Sequence, residues 1–255
     1  MSASPHGASP EQQRSYGYSR LQRSLEIAGI AAFMLLAAWT SYRIYANASV
    51  HHPAQWGWLL GGGILAALLA ADMFSGLVHW AADNWGDPSW PILGPGFIQP
   101  FRNHHVDPKD ITRHDFVELN GNNCIVSIPV FFAAGYASDV MEPETGLFTS
   151  VFALGVALWV FGTNQFHAWA HADAPPRLVR LLQRTGLLLS PKHHDVHHVA
   201  PHARHYCITN GWMDRPMQWL RLFPMIEWVV SRISGVRPQH EHIEAALARK
   251  AAKSV

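Results

Sequence analysis

The sequence is poor in charge and in cysteine. Only 15% of its 255 residues are Asp, Glu, Lys or Arg, where an ordinary soluble chain carries roughly 25%. A disordered chain would be charge-rich and short of apolar residues, so that class is excluded. A net charge of +1 excludes a strongly basic nucleic-acid binder, and no nucleic acid is expected as a partner. The two cysteines, Cys124 and Cys207, are too few for a disulfide scaffold or a four-thiolate zinc site. A P-loop, a Gly-x-Gly-x-x-Gly turn, a Gly-x-Ser-x-Gly elbow and a His-Glu-x-x-His pair are all missing. Nucleotide binding, serine hydrolysis and zincin proteolysis are therefore unsupported. The Glu-x-x-His pattern of soluble carboxylate di-iron bundles is missing too.

What the chain has is apolar residues, at 49%, and 17 histidines against 19 Lys and Arg together. Residues 1–24 are polar and read as a tail without a signal-peptide cleavage pattern. Four apolar runs follow, at about 25–45, 56–78, 124–138 and 147–166. A membrane span needs roughly 20 such residues. The third run is short and holds Pro129. None of the runs shows the polar face at a period of 3.6 that a soluble helix core requires. The expected fold is all-α: an integral-membrane bundle of four transmembrane helices. Leu178–Leu189 and Met217–Ile233 mix Arg with apolar residues and suit helices in the membrane interface or packed beneath the cap. Residues 25–235 then form the membrane domain, and 236–255 a polar end that reads as a solvated helix and tail.

Positive charge sets the orientation. Arg14, Arg20 and Arg23 precede the first run; Arg102, Lys109 and Arg113 lie between the second and third; twelve Lys or Arg follow the fourth. The other two connections hold only Arg43. The positive-inside rule puts both termini on the cytoplasmic side, as in a multi-pass protein of a bacterial inner membrane.

Five histidines, His6, His51, His52, His240 and His242, stand apart, and the other twelve form four clusters. His79 with Asp83, and His167 with His171, are spaced four apart and share a helix face. His104 and His105 precede His114. His193, His194, His197, His198, His202 and His205 fall within PKHHDVHHVAPHARH. On a helix, His193 would pair with His197 and His194 with His198. The orientation argument used only Lys and Arg, yet it places all twelve on one side, so they form a cytoplasmic histidine-rich cap. Imidazole is the commonest metal ligand at neutral pH. One catalytic zinc takes about three protein ligands, while two octahedral-type ions could take about eight to ten. The expected ligands are His79, Asp83, His104, His105, His167, His171, His193, His194, His197 and His198. Asp72, seven residues before His79 with Gly76 between, is expected to orient it. His114, Asp195, His202 and His205 are expected as outer partners or additional ligands. A competing reading takes His105-x-x-x-x-Asp110 as an acyltransferase His–Asp pair, which leaves the other clusters without a role.

The segments HWAADNWG, PFRNHHVDPKDITRHDFVELNGNNC, TNQFHAWAH and PKHHDVHHVAPHARHYCITNGW resemble the lipid desaturase family. That family contains plasmanylethanolamine desaturases and the plant desaturase acting on palmitate of phosphatidylglycerol. The resemblance covers about residues 56–230. It implies a membrane oxidoreductase with two iron ions, O2 as co-substrate and electrons from an external donor. It departs from the histidine boxes of acyl-CoA desaturases, since the first box here is His79-x-x-x-Asp83 and the second has only His104 and His105. The substrate implied is an ether phospholipid whose 1-O-alkyl chain becomes the vinyl ether of a plasmalogen; the alternative is an ester-linked acyl chain. Such a C–H bond lies beyond any amino-acid base, so the cofactor carries the hard step. With no redox segment of its own, the chain would need a separate electron-transfer protein of cytochrome b5 or ferredoxin type. Arg102, Lys109, Arg113 and Arg204 are candidates to hold the lipid phosphate.

Overall fold

The computed structural model describes residues 19–49, 53–91 and 93–252. Most of the expected N-terminal tail, with His6 and Arg14, and the pair His51 and His52 lie outside the described residues. All regular structure among the described residues is helical. Four long helices dominate: α1 (Arg20–Ala48), α2 (Pro53–Asn84), α4 (Phe116–Val140) and α5 (Pro143–His171). Each exceeds the roughly 20 residues that cross a bilayer, and each is apolar enough to do so.

The third run is longer than its hydropathy indicated, because α4 begins at Phe116 instead of Cys124. Its polar first turns are absorbed by neighbours. Asn120 donates to the Phe116 carbonyl (2.9 Å), and Asn123 to the Val160 carbonyl of α5 (2.9 Å). Pro129 lies inside the helix.

In the bundle α4 packs against α1 and α5, and α5 packs against α2. Phe33, Cys124, Phe131 and Ala157 make the core between α1, α4 and α5. Phe33 and Phe131 meet edge to face at 5.3 Å. The outward faces are apolar as well, with Leu35, Trp39, Ile64, Phe74, Val126 and Phe132 exposed. Such surface is stable against hydrocarbon and not against water, which makes this a multi-pass membrane protein.

At one end the α1–α2 and α4–α5 connections are short, and Arg43 of α1 is paired with Asp139 of α4. The other end carries segments 85–115 and 172–252, with Arg23 paired to Asp115 (2.7 Å). Here lie the short helices α3 (Gln99–His104), α6 (Arg177–Arg184), α7 (Pro191–Asp195) and α8 (Asp214–Trp219), then α9 (Leu222–Ser234) and α10 (Gln239–Ala252). The expected continuous helix over 217–233 is broken, since Arg221 adopts φ 52° between α8 and α9. Met225, Trp228, Val229 and Ile233 leave α9 with an uncovered apolar face, while the Trp80 indole donates to Glu227 (2.8 Å) and ties α9 to α2. The expected solvated C-terminal helix is α10, and its first turn docks on α2 through His240 and Asn84.

Candidate metal centre

The ends of α2 and α5 deliver His79, Asp83, His167 and His171 into the cap; α3, α7 and the turns after α7 supply the rest. Nine side chains sort into two groups. His104, His167, His171, His194 and His198 form one; His79, Asp83, His105 and His197 form the other. Within each group the donor atoms lie within 4.8 Å of one another. The groups adjoin, with the His105 and His198 rings 5.6 Å apart.

The spacing inside the groups fits metal coordination. Nε2 of His194 lies 2.8 Å from Nε2 of His167 and 3.0 Å from Nε2 of His198. Nε2 of His105 and His197 are 2.9 Å apart. Nitrogens about 2.1 Å from one ion are separated by about 3.0 Å at right angles and about 3.4 Å at tetrahedral angles, so the closest pairs match an octahedral-type ion. A single Nε2 carries either one proton or one lone pair, so ordinary hydrogen bonding accounts poorly for two such neighbours at His194. Other donors are buried and unpartnered: Nε2 of His79 and His171, both ring nitrogens of His104 and both oxygens of Asp83. Buried polar atoms seldom go unpaired, and an ion in each group would engage the Asp83 carboxylate and one nitrogen of each ring. The residues present fit two imidazole-bound ions.

Backbone carbonyls fix the tautomers. His79 Nδ1–H donates to the Tyr206 carbonyl (2.9 Å), and His197 Nδ1–H to the Arg204 carbonyl (2.8 Å). Each bond leaves the Nε2 lone pair free and aims the ring. Asp83 Oδ2 stands 3.3 Å from His197 Nε2, 3.4 Å from His79 Nε2 and 3.6 Å from His105 Nε2. Burial, then crowding by neighbouring imidazoles, pushes His104 down to about 2 and His198 to about 3. The same causes lower His105 and His194. These rings are neutral at physiological pH, the form that binds metal.

The other expected residues take varied places. The segment His194-x-x-His197-His198 is not one helical face: α7 ends at Asp195, and turns carry His197 to one group and His198 to the other. His193, expected to pair with His197, donates from Nε2 to Asp214 (2.6 Å) and stacks on His205 at 4.1 Å between centroids. These three make a separate group. Gly211, at φ +83°, leaves the space that the His193 ring fills. Asp72, expected to orient His79, instead accepts the backbone amides of Asn210, Gly211 and Met213 at 2.9, 3.0 and 2.8 Å. It anchors the segment that carries the Tyr206 carbonyl and Asp214. His202 stacks on His105 at 4.2 Å and donates from Nδ1 to the His197 carbonyl (3.0 Å). His114 is exposed beside Asp110 and Glu118, and Asp195 is exposed; neither joins a group. Among the four cations, Lys109 is paired with Asp173, and Arg113 with Asp107 and Asp110. Arg204 is exposed. Arg102 lies beside the second group and donates from Nη2 to the Gly86 carbonyl (3.0 Å).

Sequence reasoning missed Asp214 and the carbonyls of Arg204 and Tyr206. Asp214 stands 21 residues from His193 with no periodic relation to it, and backbone acceptors leave no trace in residue type.

Comparison with known proteins agrees with this geometry. The lipid desaturase domain matches residues 68–241. A plasmanylethanolamine desaturase of Myxococcus xanthus is 44% identical over 93% of this chain and 82% of its own. Plasmanylethanolamine desaturase 1 of Mus musculus is 41% identical over 72% of this chain and 69% of its own. The chloroplastic fatty acid desaturase 4 of Arabidopsis thaliana is 35% identical over 68% of this chain and 52% of its own. No solved structure matches the chain. With a metal-type histidine cap on a four-span bundle and a domain match over most of its length, the chain belongs to the lipid desaturase family and is an oxidoreductase of lipid chains.

Proposed function

We propose that this protein converts the 1-O-alkyl chain of plasmanylethanolamine to the vinyl ether of a plasmalogen, using two iron ions, O2 and an external electron donor. The observation that carries the reading is the pair of adjoining donor groups, five histidines in one and three histidines with Asp83 in the other. Imidazole and carboxylate suit iron, and bound iron supplies the O2-dependent oxidation that no side chain can perform. The lipid loses two hydrogens; with two electrons and two protons from the donor, O2 leaves as two waters.

The chain's own residues hold and aim the ions. His104, His167, His171, His194 and His198 would hold one; His79, Asp83, His105 and His197 would hold the other. The Tyr206 and Arg204 carbonyls keep His79 and His197 in the ligating tautomer. The distribution of Lys and Arg supports a cytoplasmic cap, and the membrane proposed is a bacterial inner membrane. A separate cytochrome b5 or ferredoxin-type donor would then reach it from that side. The substrate reading leans on the two relatives named plasmanylethanolamine desaturase, which are more similar than the plant fatty acid desaturase.

Expression in a host that contains saturated ether phospholipids tests the proposal. Vinyl-ether lipids, recognised by cleavage to aldehydes in mild acid, should accumulate with the gene and not without it. An acid-stable olefin in an acyl chain would instead make the protein a desaturase of ester-linked chains.

A further inference from the structure

A cavity of about 240 Å³ opens beside the second donor group. Asp83 and His105 belong to both the group and the cavity wall. Arg102, His202, His240 and Ile243 line the rest of the side that matters here. Arg102 is the single Lys or Arg in this lining. Both hydrogen bonds of its guanidinium run from Nη2, to the carbonyls of Trp85 and Gly86, and its Nε is buried with no partner. Lys109 and Arg113, by contrast, are already paired with carboxylates. The Asp83 carboxylate is turned toward three imidazole nitrogens.

The proposed reaction constrains where a phosphate can lie. The new double bond would start at the carbon attached to the ether oxygen. Along the glycerol, that carbon is about six covalent bonds from phosphorus, a path of about 9 Å at ~1.5 Å per bond and on the order of 7 Å in a straight line once the bonds zigzag. An alkyl chain presented to the donor groups therefore brings its phosphate to their edge, where a cation with a free donor is needed.

Resting on that reading of the reaction, we propose that the cavity bounded by Arg102, His105, His202 and α10 binds the phosphate diester of the substrate lipid, with Arg102 as its cation. Arg102 is pinned by two carbonyls and so presents its remaining donors with little loss of freedom. His240, held by the Asn84 side chain at 2.9 Å, fixes α10 as the opposite wall.

Equilibrium binding to the metal-loaded protein in nanodiscs tests the site. The probes are a radiolabelled 1-O-alkyl-2-acyl glycerophosphoethanolamine, the matching 1-O-alkyl-2-acylglycerol without phosphate, and inorganic phosphate as competitor. Arg102→Gln should weaken the phospholipid by about tenfold or more, the loss of a charge-assisted contact, and leave the alkylacylglycerol and the iron content unchanged. Ile243→Trp, which fills the cavity from α10, should weaken the same lipid selectively and keeps the test open if Arg102→Gln does not fold. Unchanged phospholipid affinity in the folded variants, or equal weakening of both lipids, would overturn the site. Displacement of the phospholipid by millimolar inorganic phosphate would make it a free-anion site and overturn the lipid assignment. Selective loss in a protein that makes no vinyl ether would sink the reaction and leave the phosphate site standing. Vinyl-ether formation with unchanged binding would do the reverse.

Discussion

Asp72 accepts the backbone amide of Met213 at 2.8 Å, joining residues 141 positions apart in sequence. The same carboxylate takes the amides of Asn210 and Gly211 and is wholly buried in a membrane-spanning helix. One residue beyond Met213, Asp214 holds His193 and accepts the Cys207 amide (3.1 Å). One intramembrane acid thus sets the backbone of a loop that aims His79 through the Tyr206 carbonyl.

Asp72→Asn turns a side chain that only accepts into one that also donates, facing three N–H groups. At least one buried amide loses its acceptor, at a cost of about 1–3 kcal/mol. For a chain of this size that lowers the melting temperature by roughly 2–4 °C per kcal/mol. Metal per chain should fall with it, because the loop shifts under His79. Wild-type melting together with full metal content would refute the anchoring role.

His194 and His114 separate ligand from surface histidine. His194 Nε2 stands within 3.0 Å of two other ring nitrogens and is wholly buried; His114 is exposed between two acids. Losing an outer partner of a metal ligand typically costs 10–100-fold in affinity or activity, so His194→Ala should cost at least about 100-fold in product and close to one metal ion per chain. His114→Ala should keep both. The assay is elemental analysis beside product formation, and equal effects of the two changes would contradict the grouping.

The spans and the four clusters were legible because both signals are local. Apolar runs show in composition, and the pairs His79/Asp83 and His167/His171 lie four apart on true helices. The division of the fourth cluster was not legible. A helical reading paired His193 with His197, but the chain leaves the helix after Asp195 and sends the two apart. Asp72 was read as an acid in search of an imidazole. Its partners are backbone amides of a distant loop, which residue types do not announce. The long-range partner Asp214 was invisible for the same reason.

Metal removal tests the centre as a whole. Without ions the nine donors are crowded and buried or half-buried, and those of His79, Asp83, His104 and His171 have no hydrogen-bond partner, so the folded state carries part of their desolvation uncompensated. An ion bound only by the folded state stabilises by about 2.7 kcal/mol at one hundred times its dissociation constant. Chelation should therefore lower the melting temperature by several degrees, and ferrous iron added anaerobically should restore it. A melting curve indifferent to chelator, in protein shown to have lost its metal, would count against a built site.

Gly76 offers a test that touches no donor. It lies on α2 between Asp72 and His79, where the loop passes closest. A methyl group there would sit 2.6 Å from Cys207 Sγ and 3.3 Å from the Cys207 amide nitrogen. Cys207 is followed in space by Met217, 3.8 Å from its sulfur, so the thiol has no room to retreat. Overpacking of this kind costs about 1–3 kcal/mol, and relief must come from moving the loop away from α2. That motion carries the adjacent Tyr206 carbonyl off His79 Nδ1, now 2.9 Å away. Gly76→Ala should thus lose stability and metal together. Cys207→Ala removes the sulfur that the new methyl meets, so the double variant should recover part of both losses, a coupling that a double-mutant cycle measures directly. Strictly additive losses in the double variant would show that the contact between Gly76 and Cys207 does not position the loop.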